Sequence, residues 1–163
     1  MGLDMYIEAK RYLSDFDPKE KEISEKIKAM IGEVPGIPAE HSFVGRVQEV
    51  VVQAAYWRKA NHIHAWFVKH CQEGRDECQT TYISRDMLKK LVDVCKTVLA
   101  VRLKKDRIKL AEEILPPQAG FFFGSTEVDE WYFSDVKDTI KQLEPLLDEK
   151  WHNEWSFYYR ASW

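Results

Sequence analysis

Between Tyr56 and His70 the chain reads YWRKANHIHAWFVKH, a run holding three histidines, two tryptophans, an arginine, two lysines and an asparagine. Imidazoles ligate metals or move protons near neutral pH, indoles stack on rings, and a guanidinium pairs with phosphate. His62 and His64 first suggest a metal pair. Read as a helix at ~100° per residue, however, the run sets these rings ~160° apart, and both would face one ion only on a strand. A helix is the better reading, because Tyr56, Ala60, Ile63, Phe67 and Cys71 recur at the spacing of one apolar face. Trp57, Asn61, His64 and Val68 form a second stripe beside it, and His62 then points to solvent. Asn61 and His64, one turn apart at the core boundary, can address a shared ligand or orient a shared piece of backbone. Arg58 and Lys59, at the expected helix start, oppose the helix dipole there, as cations do when solvated or kept for an anion.

A second candidate is GFFFGSTEVDE, Gly120 to Glu130. A glycine-flanked turn opening into a helix presents free backbone N–H groups, the chemistry of phosphate binding, although no Gly-Lys-Ser/Thr follows as a P-loop requires. Ser125 or Thr126 is the expected cap, with Asp129 completing a capping box on Thr126. Glu127, Asp129 and Glu130 crowd the first turn and would repel an anion. They complement the dipole, or do acid–base work, or bind a hard cation. Phe123, Gly124, Ser125 and Tyr132 are the remaining residues of this segment able to face a ligand. No nucleophile elbow, His-Glu-x-x-His, dinucleotide fingerprint or kinase set occurs.

The elements that must position these two segments follow from periodicity. Leu3, Met5, Ile7 and Ala9 alternate with polar residues, which predicts an opening strand. Asp17, Pro18 and Glu20 signal a helix start, followed by Ile23, Ile27, Met30 and Ile31 at helical spacing. Gly32 to Pro38 is a break, with an irregular loop expected to Arg46. The valine-rich run from Val47 to Tyr56 reads as a strand, central or nearly so for want of proline. CQTTYI is a short strand, and Ser84 caps a helix with the stripe Leu88, Leu91, Val92, Cys95, Val98 and Leu99, continued by a second helical segment to about Ile114. Another helix runs to about Glu144. Trp155, Phe157, Tyr159, Ala161 and Trp163 alternate with polar residues in a closing strand. The expected fold is α+β, one globular domain over 1–163, with about five helices on a mixed or mainly antiparallel sheet of four or five strands.

Composition narrows the partners. With 24 basic and 27 acidic residues the net charge is −3, and no block of like charges would grip duplex nucleic acid or an anionic membrane. No apolar run reaches the length of a membrane span, and no export signal is evident. The three cysteines, Cys71, Cys78 and Cys95, are an odd set that points to reduced thiols in a cytosol. Cys71 and Cys78 stand too far apart in sequence for the usual zinc pair, and no cofactor is implied.

Taken together, MGLDMYI, YWRKANHIHAWFV, CQTTYIS before a helix and GFFFGSTEVDEWYFSD resemble a family of small proteins encoded by bacteriophages and prophages. The resemblance spans nearly the whole chain. It implies a viral accessory protein in the bacterial cytoplasm and carries over no catalytic residues. The leading expectation is a protein that binds a small, nucleotide-like ligand between Trp57, Arg58, Asn61 and His64 and the turn of Phe123, Gly124, Ser125 and Tyr132, sequestering a host defence signal. An alternative is a small hydrolase with His64 as general base and Asp129 or Glu130 as its orienting or metal-holding acid. A third is an interaction module for a host protein or a homo-oligomer, using Trp151, Trp155 and Trp163 around a C-terminal strand with an exposed edge.

Overall fold

A computed structural model describes residues 2–32 and 45–163. Four strands alternate unevenly with six helices among them: β1 (Asp4–Tyr12), α1 (Pro18–Ile31), β2 (Glu49–Arg58), α2 (Asn61–Cys71), β3 (Thr81–Ile83), α3 (Arg85–Ala100), α4 (Lys104–Ile114), α5 (Glu130–Leu143), α6 (Glu149–Glu154) and β4 (Ser156–Ser162), with a 3-10 turn at Glu144–Leu147. The fold is α+β, with one antiparallel sheet in the order β2-β1-β4-β3. The first and last strands therefore make its centre. Of the break and loop expected over 32–46, only Gly32, Gly45 and Arg46 fall within the described residues.

The chain divides into two compact units, residues 1–9 with 53–163, and residues 10–52. In the second, Asp17 caps α1 by accepting from Lys19 N–H at 2.8 Å, and Pro18 opens the helix. Ser24 is the one buried residue of α1, and its hydroxyl donates to Val47 O at 3.0 Å and accepts from Val47 N–H at 3.2 Å. Of the expected apolar stripe, Ile23 and Ile27 are half-buried while Met30 and Ile31 are exposed.

In the first unit, alternation along β1 buries Met5, Ile7 and Ala9, with Leu3 buried just before it, and that along β4 buries Phe157, Tyr159 and Ala161. Against them pack α2 and the α3–α5 pair, with Leu88, Leu91, Cys95, Val136 and Leu143 fully buried. Ser84 caps α3 as expected, accepting from Met87 N–H at 3.3 Å.

Two expectations about the sheet are corrected. β2 is an edge strand and not a central one, since the absence of proline permits a central place without requiring it. Its exposed backbone at Tyr56 is bonded by a side chain: Gln142 accepts from Tyr56 N–H at 2.8 Å and donates to Tyr56 O at 2.9 Å, as a neighbouring strand would. Conversely, β4 lies between β1 and β3, in register Thr81 with Tyr159 and Ile83 with Phe157, so the C-terminal strand offers no free edge.

Candidate functional site

The expected helix start at Arg58 proves to be the end of a strand. β2 runs to Arg58, so period-two alternation puts Trp57 in the core and Arg58 outside it. Trp57 donates its indole N–H to Thr139 Oγ1 at 3.0 Å, facing α5 and not the side of Asn61 and His64. The turn that follows is tight. Lys59 has φ 61°, a left-handed conformation that costs a non-glycine residue energy. Ala60, at φ −76° and ψ 68°, forms an inverse γ-turn in which Asn61 N–H donates to Lys59 O at 2.9 Å. Only then does α2 begin.

Asn61 joins this turn to the second candidate segment. Its Nδ2 donates to Phe123 O at 3.0 Å and to Ser125 O at 2.8 Å, and its Oδ1 accepts from Gln118 N–H at 3.2 Å. Its amide is thereby engaged at both ends in holding backbone. Gly124, at φ 88°, completes the approach, because a Cβ there would stand 3.3 Å from Lys59 Cβ. The helix expected to be capped by Ser125 or Thr126 begins later: Asp129 itself is the cap, with one carboxylate oxygen accepting from Trp131 and Tyr132 N–H at 2.9 and 3.0 Å.

Between turn and loop lies a cavity of about 310 Å³. The β2–α2 segment contributes Arg58, Lys59, Asn61 and His62 to its wall. From the loop come Gly124, Ser125, Glu127 and Asp129, and from α5 come Trp131, Tyr132 and Asp135. Arg58 is already near a carboxylate, 3.8 Å from Asp4, while Trp131 is 79% exposed. Asp135 is half-buried, and among the described residues no hydrogen bond or ion pair holds its carboxylate. Burial raises its pKa to about 6, with Asp138 and Asp129 adding to the shift.

His62 corrects the solvent-facing expectation outright. It is 3% exposed, its ring 4.0 Å from that of Tyr132, and its Nε2 has no hydrogen-bond partner. Burial pushes its pKa down to about 3, so the ring is neutral at physiological pH. The reason is that α2 is covered on more than one side: Asn61, His62, Ile63, His64, Trp66, Phe67 and Val68 are all buried. A helix apolar nearly all round has no solvent face for His62 to take.

His64 is fully occupied elsewhere. Its Nε2 lies 2.9 Å from Asp76 Oδ2 and its Nδ1 2.7 Å from the Tyr159 hydroxyl, with His64 and Tyr159 both 0% exposed. A carboxylate only accepts, so Nε2 carries a proton toward Asp76. The other Asp76 oxygen accepts from the Trp163 indole N–H at 3.1 Å, and the Tyr159 ring stacks on Phe67 at 4.0 Å.

Of the residues singled out in the sequence, Arg58, Asn61, Gly124, Ser125, Asp129 and Tyr132 thus meet at one cavity, whereas Trp57, His64 and Phe123 are buried away from its wall. Glu130 pairs with Lys104 at 3.5 Å, and the acid beside His64 is Asp76, neither Asp129 nor Glu130. Sequence reasoning missed His62, Trp131 and Asp135. The available signal was the absence of any charge from Ala60 to Val68, which marks a helix buried on several sides. Among the described residues no group of three or more histidine, cysteine, aspartate or glutamate side chains converges as a metal site, and no helix is long and apolar enough to cross a membrane. Against known proteins, the chain matches no family model, no curated protein and no solved structure.

Proposed function

We propose that the protein binds a small, nucleotide-like ligand in the cavity bounded by the β2–α2 turn and the loop into α5. One observation carries the reading: a cavity in the ~300–1,000 Å³ range of small-molecule sites whose wall joins the cations Arg58 and Lys59 to the exposed indole of Trp131 and to a neutral, buried His62. The surrounding chemistry favours a molecule with an anionic part for Arg58 and Lys59, a flat ring for Trp131 and hydrogen-bond donors for the carboxylates. A nucleotide combines all three.

Binding is favoured over turnover because His64, the expected general base, has both ring nitrogens engaged away from the cavity. The resemblance to phage-encoded proteins supplies the context, an accessory protein in the bacterial cytoplasm that holds a host signalling nucleotide. The test is thermal unfolding and calorimetry with a panel of mono- and dinucleotides. A ligand at 100 times its Kd should stabilise the fold by about 2.7 kcal/mol. Trp131→Ala and Arg58→Ala should each weaken binding without lowering the melting temperature of the free protein. If no nucleotide shifts the transition, the reading falls.

A further inference from the structure

The core takes one face of the sheet, and the other carries a tyrosine on every strand: Tyr56 on β2, Tyr6 on β1, Tyr158 on β4 and Tyr82 on β3. None of the four belongs to the core. Each of the first three sits between two buried neighbours, so alternation turns all three to the side away from the core, and Tyr82 joins them in register with Tyr158. The rings form a row. Tyr56 and Tyr6 lie 5.3 Å apart, the Arg160 guanidinium covers Tyr6 at 4.5 Å, and Tyr158 meets Tyr82 at 5.8 Å. Surfaces able to stack on a flat ring therefore cross all four strands.

Two carboxylates share this face, and each is matched by an arginine. Asp4 stands 3.8 Å from Arg58 and accepts from the Tyr56 hydroxyl, and Glu8 accepts from Arg160 Nε at 2.6 Å, so neither presents a bare negative charge to a partner. The area limits what can lie there. Four strands ~4.8 Å apart, each about as long as the seven-residue β4 at ~3.3 Å per residue, cover about 450 Å². That is roughly half of the ~800 Å² each partner gives to a stable protein–protein interface, and it suffices for a few stacked bases.

Face and cavity meet at Arg58, which lines the cavity wall and also stands beside Asp4 on the tyrosine face. Tyr56 is two residues before it on the same side of β2, about 7 Å away by strand rise. We infer that the ligand is a single-stranded oligonucleotide, with one nucleotide in the cavity and the following bases stacked across the sheet on Tyr56 and Tyr6 and then toward Tyr158 and Tyr82. This rests on the nucleotide reading above and names the class of ligand. Arg58 and Lys59 then meet the phosphate that joins the cavity nucleotide to the first stacked base. Every base has a ring face, so the sheet accepts single strands with little regard to sequence, whereas a duplex keeps those faces in its own stack.

The experiment is calorimetry on the full chain with homopolymer strands of each base, from mononucleotide to hexanucleotide, and with a duplex of matching length. Affinity should rise roughly 5- to 100-fold for each of the first bases added, as stacking on an aromatic side chain gives, and level off by about four nucleotides. Tyr56→Ala should bring the dinucleotide down to the affinity of the mononucleotide, while Tyr56→Phe, which keeps the ring and loses the hydroxyl bonded to Asp4, should retain the gain. Tyr82→Ala, at the far edge, should act on the longer strands. Equal affinity for the mononucleotide and every longer strand, or a gain with length that survives Tyr56→Ala, overturns the oligonucleotide assignment and leaves the cavity reading standing. So does a preference for duplex, or a dimer by light scattering that Tyr82→Ala dissolves. Absence of binding by mononucleotide and oligonucleotide alike overturns both.

Discussion

His62 and His64 stand two residues apart on one helix, both buried, and their surroundings differ in every other respect. His64 is held at both nitrogens, by Asp76 and by Tyr159, and the chain of bonds continues to Trp163. His62 has a tyrosine ring for a neighbour and nothing at Nε2. Burial alone therefore does not distinguish a histidine held at both ring nitrogens from one with an unpartnered nitrogen. Hydrogen-bond accounting does, because a satisfied buried polar group stabilises the fold and an unsatisfied one costs it.

The largest expected effect breaks the structural side. His64→Ala opens a gap in the core and strands the Tyr159 hydroxyl and the Asp76 carboxylate, and should cost about 3–5 kcal/mol in urea unfolding. Asn61→Ala should come next, at about 2–3 kcal/mol, because it leaves the backbone of Phe123, Ser125 and Gln118 without its partners. By the same reasoning His62→Phe should be far milder, since it removes no hydrogen bond. A loss as large as that of His64→Ala would mean that His62, too, is structural.

A third prediction sharpens the comparison through pH. The folded pKa of His62 lies at about 3, below the 6.5 of an unperturbed histidine, so its contribution to stability is present above pH 6.5 and is lost as pH falls toward 3. Between pH 6.5 and pH 5 that loss should approach ~2 kcal/mol. His62→Phe should flatten this part of the profile, as read by chemical denaturation at each pH. The smallest effect concerns Asp135, whose folded pKa is raised. Its contribution is present below pH 3.8 and lost as pH rises through about 6, so Asp135→Asn should raise the melting temperature slightly at pH 7 and not at pH 4.

How much of this was legible in the sequence depended on whether one element was enough to decide it. Strand alternation in Leu3 to Ala9 and Phe157 to Ala161, the Asp17-Pro18 helix start and the Ser84 cap are local signals, and each element formed where its residues indicated. That the segment of Asn61 and the turn of Ser125 face one another could be expected from the residues each offers a ligand. The geometry of their meeting could not, because it depends on a left-handed Lys59 and an inverse γ-turn that no pattern announces. Trp57 and Arg58 were assigned to a helix because the spacing to Ala60 and Asn61 fits one, and the strand-to-helix boundary three residues later reversed their roles. The orientation of His62 was misjudged by granting α2 a solvent face. Asp135 escaped notice as one acid among several on an amphipathic helix, distinguished only by what its neighbours fail to provide.

The central claim, that the cavity beside His62 is a ligand site while the His64 network is scaffold, can be tested in one titration. Two-dimensional NMR of the histidine side chains, with GMP added stepwise at pH 7.5, reports both rings at once. The account predicts saturable shifts of the His62 resonances with those of His64 nearly unmoved. Shifts confined to His64, or none at either ring up to millimolar nucleotide, would contradict it.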